Sequence, residues 1–238
     1  MTHDRAGLLM CSRYSFGPNR LHFCGPEKQN DLLGYVTLHN TDNGLIEILD
    51  RFETLYPYLA LIASQNGITD PYDKRVVEAY WVGNSLLSHI RPRAFAAHLT
   101  DTLSLRRKIP TNALTPMVDS VIQGVPHHTI HVIDIFIRTG HAAITQTLST
   151  MDNCRIGWGR VCSLDPFSIE IRPLAYKNNR LILGASEQKH VSCIGLRPAI
   201  GDWVSVHWGY ICEIISERQV RQLMKYTNLA IRLANTSV

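Results

Sequence analysis

Three histidines within five residues form the densest group of potential metal ligands in the chain. His127, His128 and His131 follow Pro126. In a helix His127 and His131 would be one turn apart on one face, and in a strand their even spacing would again place them on one face. Either arrangement could hold a zinc or iron ion through neutral imidazoles. Capping or hydrogen bonding in the core, just after a turn, is the alternative interpretation.

A glutamate lies on the apolar face of a predicted helix. The segment 70–73, Asp-Pro-Tyr-Asp, is typical of a helix start, with an N-cap residue, Pro at N1 and an acid at N3. Glu78 would then be a buried carboxylate, which needs a partner. An Arg or His of the helical part would satisfy it, and so would a metal shared with His127, His128 and His131. These four residues define the candidate centre of a metal-dependent enzyme.

The six cysteines are expected to be free thiols. The N-terminus has no apolar segment of the kind found in signal peptides, so a reducing, cytoplasmic setting is expected. No two cysteines are spaced as a CxxC pair, which excludes a zinc ribbon. Cys24, in the segment Cys-Gly-Pro, could be a reactive thiol in a loop or part of a turn that seats the first helix. Cys162, Cys193 and Cys212 fall in predicted strands and are expected to be small core residues.

Two short motifs in the last third of the chain carry a cysteine and a histidine. The first is Cys154-Arg-Ile-Gly-Trp-Gly-Arg-Val, and the second is Gly201-Asp-Trp-Val-Ser-Val-His-Trp-Gly-Tyr, with the histidine at His207. In this order, with a helix predicted after them, they resemble the HypC/HupF family of small hydrogenase-maturation chaperones. The resemblance covers about residues 152–235, roughly the length of an entire HypC chain.

This resemblance implies a small β-barrel and a role in metal handling. In the HypC family the Cys and His of these motifs are implicated in holding an iron with cyanide and CO ligands, on its way to the large subunit of nickel-iron hydrogenase. The matching residues here are Cys154 and His207. A soft thiolate suits such an iron, and a neutral imidazole complements it. The implied partner is a precursor of the hydrogenase large subunit or another maturation factor.

The sequence departs from the HypC pattern at two positions. Cys154 is internal and follows Asp152-Asn153, whereas the cysteine of the family follows the initiator Met. Trp158 stands where the family usually has Pro. An internal cysteine has neither the mobility nor the α-amino group of a chain end, so a HypC-like fold with a different function is the alternative.

The whole chain also resembles an uncharacterised family of bacterial and archaeal proteins. The shared patterns are NRLxxCGP, VVEAYWVGN, PHHxxHV and CRIxWGRV, which begin here at Asn19, Val76, Pro126 and Cys154. This resemblance implies no activity.

The periodicity of apolar residues changes near residue 150. Residues 1–150 mostly carry apolar residues at helical spacing, although 132–137 could be either a strand or a buried helix. Residues 151–238 show short β-prone runs separated by turn residues, then a helix behind a capping box of Ser216 and Gln219. The predicted fold is α+β: a helical bundle domain, 1–150, followed by a small HypC-like (OB-like) β-barrel with a C-terminal helix, 151–238.

Composition and missing motifs exclude several classes of protein. With 238 residues, 45% hydrophobic and 18% charged, the chain can bury real cores and is not disordered. A net charge of +4 is too small to indicate nucleic acid or a membrane surface as partner, and no run approaches the ~20 apolar residues of a membrane helix. The sequence contains no phosphate-binding Gly-rich loop, GxSxG or HExxH motif, which argues against nucleotide hydrolysis, esterase chemistry and zincin proteolysis.

The favoured interpretation is a non-enzymatic accessory protein or chaperone in metallocentre assembly that handles iron through Cys154 and His207. It requires these two residues to lie close enough to share an ion. The alternatives are the metal-dependent enzyme with a His/Glu centre and a purely structural scaffold, the latter favoured if Cys154 is buried and unreactive.

Overall fold

The predicted α+β class is confirmed. The computed structural model describes residues 3–108, 118, 123–136 and 147–236. Within them, helices precede a mostly antiparallel sheet and a long helix closes the chain. None of the described helices has the length and apolar character needed to cross a membrane.

The first part of the chain consists of short helices around a buried central helix, α1. The helices are α1 (Arg5–Arg20), α2 (Gln29–Leu38), α3 (Asn43–Asp50), α4 (Leu55–Gln65), α5 (Lys74–Trp81), α6 (Pro92–Ala97), α7 (Leu105–Lys108), α8 (His128–Ile130) and α9 (Leu148–Cys154). A 3-10 turn (Ser85–His89) and two π-helical segments (His98–Thr102 and His131–Phe136) complete this part. The segment left open between strand and helix is therefore helical as far as Phe136. Helix α1 packs against α2, α3 and α5, and on its other side against the sheet.

Helix α5 begins later than the sequence predicts. Its N-cap is Asp73, whose side chain accepts a hydrogen bond from the Arg75 amide. Asp70 instead holds the preceding turn and the N-terminal segment, since its carboxylate accepts from the backbone amides of Tyr72 (2.9 Å) and Asp4 (2.7 Å). Asp70 and Asp73 therefore cap two successive turns, and only Asp73 caps helix α5.

Five antiparallel strands form one curled sheet, as the β-prone runs predict. Its strands are β1 (Gly157–Leu164), β2 (Phe167–Ile171), β5 (Glu187–His190), β6 (Trp203–His207) and β7 (Tyr210–Ile214), in the order β5-β2-β1-β6-β7. Strands β3 (Leu174–Lys177) and β4 (Arg180–Leu183) form a separate hairpin. Just beyond β5, the Ser192 amide donates to the Gly209 carbonyl (2.8 Å) and the Ser192 carbonyl accepts from the Ile211 amide (2.9 Å). This bridge joins the two edges of the sheet, as in a small barrel.

A tight turn joins β3 to β4, and a bulge in β1 changes which of its side chains are buried. The β3–β4 turn places Asn178 and Asn179 at φ 51° and 59°, as expected of a tight hairpin turn. The prediction that Cys162 is a core residue is wrong, because the register shifts between Val161 and Ser163 and this bulge leaves Cys162 exposed. Cys212 is buried, as predicted, and Cys193 is half-buried.

The C-terminal helix α10 (Glu217–Thr236) starts at the predicted capping box. The Ser216 amide donates to Oε1 of Gln219 (2.9 Å), and the Gln219 amide donates to Oγ of Ser216 (3.4 Å). Helix α10 packs on α8 and the π-helical segment after it, and also on β1 and β4. One apolar cluster accordingly includes residues from both parts of the chain. The domain division at 150/151 stays a prediction.

Candidate metal centre

Three side chains with ligand atoms converge from separate elements. His128 comes from α8, Cys154 is the last residue of α9, and His207 is the last residue of β6. One nitrogen of each imidazole and the Cys154 sulfur all lie within 4.8 Å of one another. Both histidines are buried and Cys154 is half-buried. The two residues singled out by their motifs, Cys154 and His207, therefore lie together, and His128 joins them.

The turn after β6 holds His207 against the end of α9. Trp208 and Gly209 form a two-residue hairpin turn with φ 51° and 78°. A bulky residue rarely adopts a positive φ, so the surroundings must hold Trp208 in place. Its backbone amide donates to the carbonyl oxygen of Asn153 (2.8 Å), and its ring stacks on Phe23 with centroids 3.9 Å apart. The hydrogen bond to Asn153 fixes the residue next to His207 to the residue next to Cys154.

The hydrogen bonds of His207 leave one nitrogen lone pair free. Nδ1 lies 2.6 Å from the carbonyl oxygen of Tyr14, so Nδ1 carries the proton and donates it to that oxygen. Nε2 is buried and has no hydrogen-bond partner among the described residues. Nε2 of His98 and His127 is likewise buried without a partner among the described residues, so it is its place beside Cys154 and His128 that distinguishes His207. A backbone carbonyl holding Nδ1–H while Nε2 is free is the usual arrangement of a metal-binding histidine.

His128 is held by hydrogen bonds on both nitrogens. Nε2 lies 2.9 Å from the carbonyl oxygen of Cys154, and Nδ1 lies 3.1 Å from the hydroxyl of Tyr80. A neutral imidazole with its proton on Nε2 satisfies both contacts, because it donates to the carbonyl and accepts from the hydroxyl. Binding an ion through either nitrogen would replace one of these bonds. The His128 and His207 rings are nearly perpendicular (78°), with centroids 5.1 Å apart.

Burial sets the protonation of all three groups. It lowers the pKa of His207 to about 4, against the opposing effects of the Tyr14 and Cys154 carbonyls, and holds the pKa of His128 well below its usual value, with neighbouring His207 adding to the effect. Burial also raises the pKa of the Cys154 thiol to about 12. At neutral pH both imidazoles are therefore neutral and able to bind a metal, whereas Cys154 would release a proton on binding.

The three residues form part of the wall of a cavity of about 460 Å³. Aromatic side chains make up much of the rest of the described wall: Phe23, Phe52, Tyr80, Trp81 and Trp208. Cys24, in the loop between α1 and α2, also lines this cavity. The cluster is thus open to a space much larger than one ion.

Comparison with known proteins places the chain in a family. The model of a family of unknown function, DUF6390, matches residues 3–238. The chain belongs to the DUF6390 family. No curated protein and no solved structure matches it.

The three neighbouring histidines, His127, His128 and His131, have different hydrogen-bond partners in the structure. His127 has an extended backbone (φ −111°, ψ 140°) and is the N-cap of α8, where its Nδ1 accepts from the Thr129 amide (3.1 Å). Its ring stacks on Tyr226 of α10, with centroids 4.8 Å apart. His131 lines the cavity, with Nδ1 3.0 Å from the Tyr58 hydroxyl. The His131 amide donates to the His127 carbonyl (3.1 Å), so the two residues are one helical turn apart, but their rings contact different residues, Tyr226 and Tyr58.

Glu78 lies away from the three ligand residues. Its Oε1 accepts from Nε2 of Gln219 (2.9 Å), and its Oε2 accepts from Nδ2 of Asn84 (3.1 Å). Arg218 lies 3.8 Å from Oε1. These partners account for the carboxylate, and the described structure does not bring Glu78 to His127, His128 or His131.

Of the two remaining candidate residues, Cys24 lines the cavity and Trp158 does not. Cys24 lines the cavity, and desolvation of its thiol there raises its pKa to about 11. Trp158 is a buried residue of β1, with the Arg155 guanidinium 5.7 Å from its ring, and it is not among the described residues of the cavity wall.

Sequence reasoning missed several residues of the DUF6390 site. Trp81 and Trp208 both line the cavity. The sequence signal for Trp208 is that it directly follows His207. The sequence signal for Tyr80 is that it shares a helical face with Val76 and Val77. Tyr14 contributes its backbone carbonyl to His207, and no sequence signal reports such a contact.

Proposed function

We propose that this protein is an accessory protein of metallocentre assembly that holds one iron centre through His128, Cys154 and His207. The observation that carries the proposal is the convergence of the three ligand atoms within 4.8 Å. The lone pair of His207 Nε2, buried without a partner among the described residues, is a second support. One thiolate with two imidazoles is a ligand set suited to iron, zinc or copper.

The geometry requires a small contraction on binding. Ligand atoms around a tetrahedral metal with bonds of about 2.0 to 2.3 Å stand roughly 3.3 to 3.8 Å apart. The three groups therefore have to close by about 1 Å, which side-chain rotation and the exchange of one His128 hydrogen bond could supply. Three protein ligands leave positions at the metal for ligands that an iron centre brings with it, such as cyanide and CO.

The resemblance to HypC supports nickel-iron hydrogenase maturation as the setting. Cys154 and His207 match the cysteine and histidine of that family, and here they lie together. The partner would be a precursor of the hydrogenase large subunit or another maturation factor. His128 lies outside the region of resemblance, so a third ligand from the helical part would be a feature added to the HypC pattern.

The cavity favours one alternative function, a metal-dependent enzyme. Three protein ligands next to an open position are typical of catalytic rather than structural zinc sites, and the cluster adjoins about 460 Å³ of space. The centre of such an enzyme would be His128, Cys154 and His207. The two functions differ in one property: an accessory protein must release its metal to a partner, whereas an enzyme retains it.

Iron loading followed by transfer tests the proposal. The protein is loaded anaerobically with Fe(II), desalted, and analysed for iron per chain. We expect about one iron per chain in the wild type and at least tenfold less in Cys154→Ser and His207→Ala. Cys162→Ser, which removes an exposed thiol, is the matched control and should bind as the wild type does. Circular dichroism establishes that each variant is folded.

The second stage mixes loaded protein with the metal-free hydrogenase large-subunit precursor. Iron that moves to the precursor on a timescale of minutes supports the accessory function. Iron that stays on the loaded protein despite excess precursor would favour the enzyme, and equal iron in the wild type and Cys154→Ser would contradict both.

A further inference from the structure

We propose that the cavity beside His128, Cys154 and His207 binds an uncharged, largely apolar organic molecule whose single donor atom reaches the metal. This inference rests on the proposed metal site and extends it by naming the class of ligand that would share it.

The size of the cavity exceeds what a metal ion requires. Its volume of about 460 Å³ falls in the range of about 300 to 1,000 Å³ typical of small-molecule sites. A water molecule occupies about 30 Å³ in the liquid, so an ion with a few waters would fill only part of this space. The remaining volume matches a molecule of the size of one or two aromatic rings.

The walls favour a flat, apolar body. Phe23 and Trp208 stack on each other at 3.9 Å on one part of the wall, and Phe52, Tyr80 and Trp81 add further aromatic surface. Aromatic rings pack well against other rings in offset or edge-to-face arrangements, beyond the area that they bury.

The charges of the wall disfavour anions. Among the lining residues that the structure describes there is no lysine or arginine, and Glu53 is the one carboxylate. Apart from the proposed metal, a carboxylate or phosphate transferred into such surroundings would lose its hydration without gaining a cationic side chain among the described lining residues. An uncharged ligand avoids this cost.

The position of the cluster fixes the orientation. His128, Cys154 and His207 all belong to the cavity wall, so a molecule in the cavity can reach a metal held there with one end. The donor atom therefore belongs at the metal and the apolar body against the aromatic side chains.

Cobalt-loaded protein and three small probes test this inference. Co(II) bound to a thiolate gives a charge-transfer band, and an added donor changes the visible spectrum. The probes are 4-phenylimidazole, imidazole and benzoate. We expect 4-phenylimidazole to bind at least tenfold more tightly than imidazole because its ring is buried, and benzoate to bind no more tightly than imidazole. Equal affinities for the two imidazoles, or a preference for benzoate, would overturn the proposal.

A pair of aromatic substitutions localises the effect. Phe23→Ser removes one aromatic wall and should lower the ratio of the 4-phenylimidazole affinity to the imidazole affinity at least fivefold, a ratio that corrects for any change at the metal from the lost stacking on Trp208. Tyr176→Ser removes an exposed aromatic residue of β3 and is the control, with no expected effect. The same ratio in Phe23→Ser and the wild type would contradict the assigned wall.

Failure of the metal site can be told apart from failure of this inference. Absence of the cobalt charge-transfer band would count against the metal site alone. The cavity is then tested in the metal-free protein, where Trp81 and Trp208 report on occupancy through fluorescence. Saturable quenching by 4-phenylimidazole would support the cavity, and its absence would overturn the inference.

Discussion

Gly17 of α1 lies directly against the backbone of His207. A Cβ at Gly17 would stand 2.5 Å from the His207 carbonyl oxygen, closer than such atoms can approach. The missing side chain lets α1 pass beside the β6–β7 turn, so that the Tyr14 carbonyl, three residues earlier in the same helix, can accept from Nδ1 of His207. A residue without functional atoms thus helps to position a proposed ligand.

Gly17→Ala is expected to destabilise the protein and weaken metal binding. The added methyl group forces α1 and the turn apart, and overpacking of this kind typically costs about 1 to 3 kcal/mol. Urea unfolding of the metal-free protein measures the free energy of unfolding, and Co(II) titration measures the affinity.

Gly34→Ala is the matched control for that substitution. Gly34 is a helical glycine of α2 with no atom within 4 Å of an added Cβ. Replacing a helical glycine by alanine should therefore stabilise the protein, by up to about 1 kcal/mol. If Gly17→Ala behaved as Gly34→Ala does, the close approach of α1 to His207 would have no energetic role.

Metal affinity should rise with pH with a slope that reports one proton. Because burial raises the pKa of Cys154 to about 12, its thiol is protonated at neutral pH and must lose that proton to bind a metal. His207, with a pKa lowered to about 4 by burial, contributes no proton between pH 6 and 8. The affinity for Zn(II) should therefore increase about tenfold for each pH unit.

Cys154→Ser provides the comparison for this slope. A serine hydroxyl has no proton to lose in this range, so the variant should bind weakly and with little pH dependence. Calorimetry in buffers of different ionisation enthalpy counts the released protons directly. A wild-type value near zero would mean that Cys154 does not bind as the thiolate.

Buried imidazoles should make the metal-free protein sensitive to acid. Burial lowers the pKa of His98 and His207 to about 4 and that of His127 to about 3. Between pH 6.5 and about 4 the unfolded chain binds protons at these residues and the folded protein does not, so the free energy of unfolding falls as the pH falls. Each such histidine contributes up to about 1.4 kcal/mol per pH unit.

Urea midpoints at pH 7, 6, 5 and 4.5, with a chelator present, measure this loss. His98→Gln removes one titrating group and should make the pH dependence shallower. Unchanged midpoints across this range would show that the histidines are not held neutral by the fold.

The sequence predicts features that depend on short segments. The Asn178-Asn179 hairpin and the capping box of Ser216 and Gln219 are set by neighbouring residues and were predictable for that reason. The proximity of Cys154 and His207 was predictable only from the resemblance of the two motifs that contain them. In the structure a backbone hydrogen bond between Trp208 and Asn153 brings these two residues together.

Features that depend on distant parts of the chain escaped prediction. His128 is held in the cluster by Tyr80 and the Cys154 carbonyl, which are 48 and 26 positions away in the sequence. Glu78 finds its partner, Gln219, 141 positions away. Cys162 turns outward at a bulge that periodicity does not reveal.

X-ray absorption at the zinc edge of Zn(II)-loaded protein tests the central claim most directly. We expect one sulfur at about 2.3 Å and two imidazole nitrogens at about 2.0 to 2.1 Å, from Cys154, His128 and His207. The sulfur should be lost in Cys154→Ser and one nitrogen in His207→Ala. A wild-type spectrum without sulfur, or one that neither substitution changes, would contradict the proposed centre.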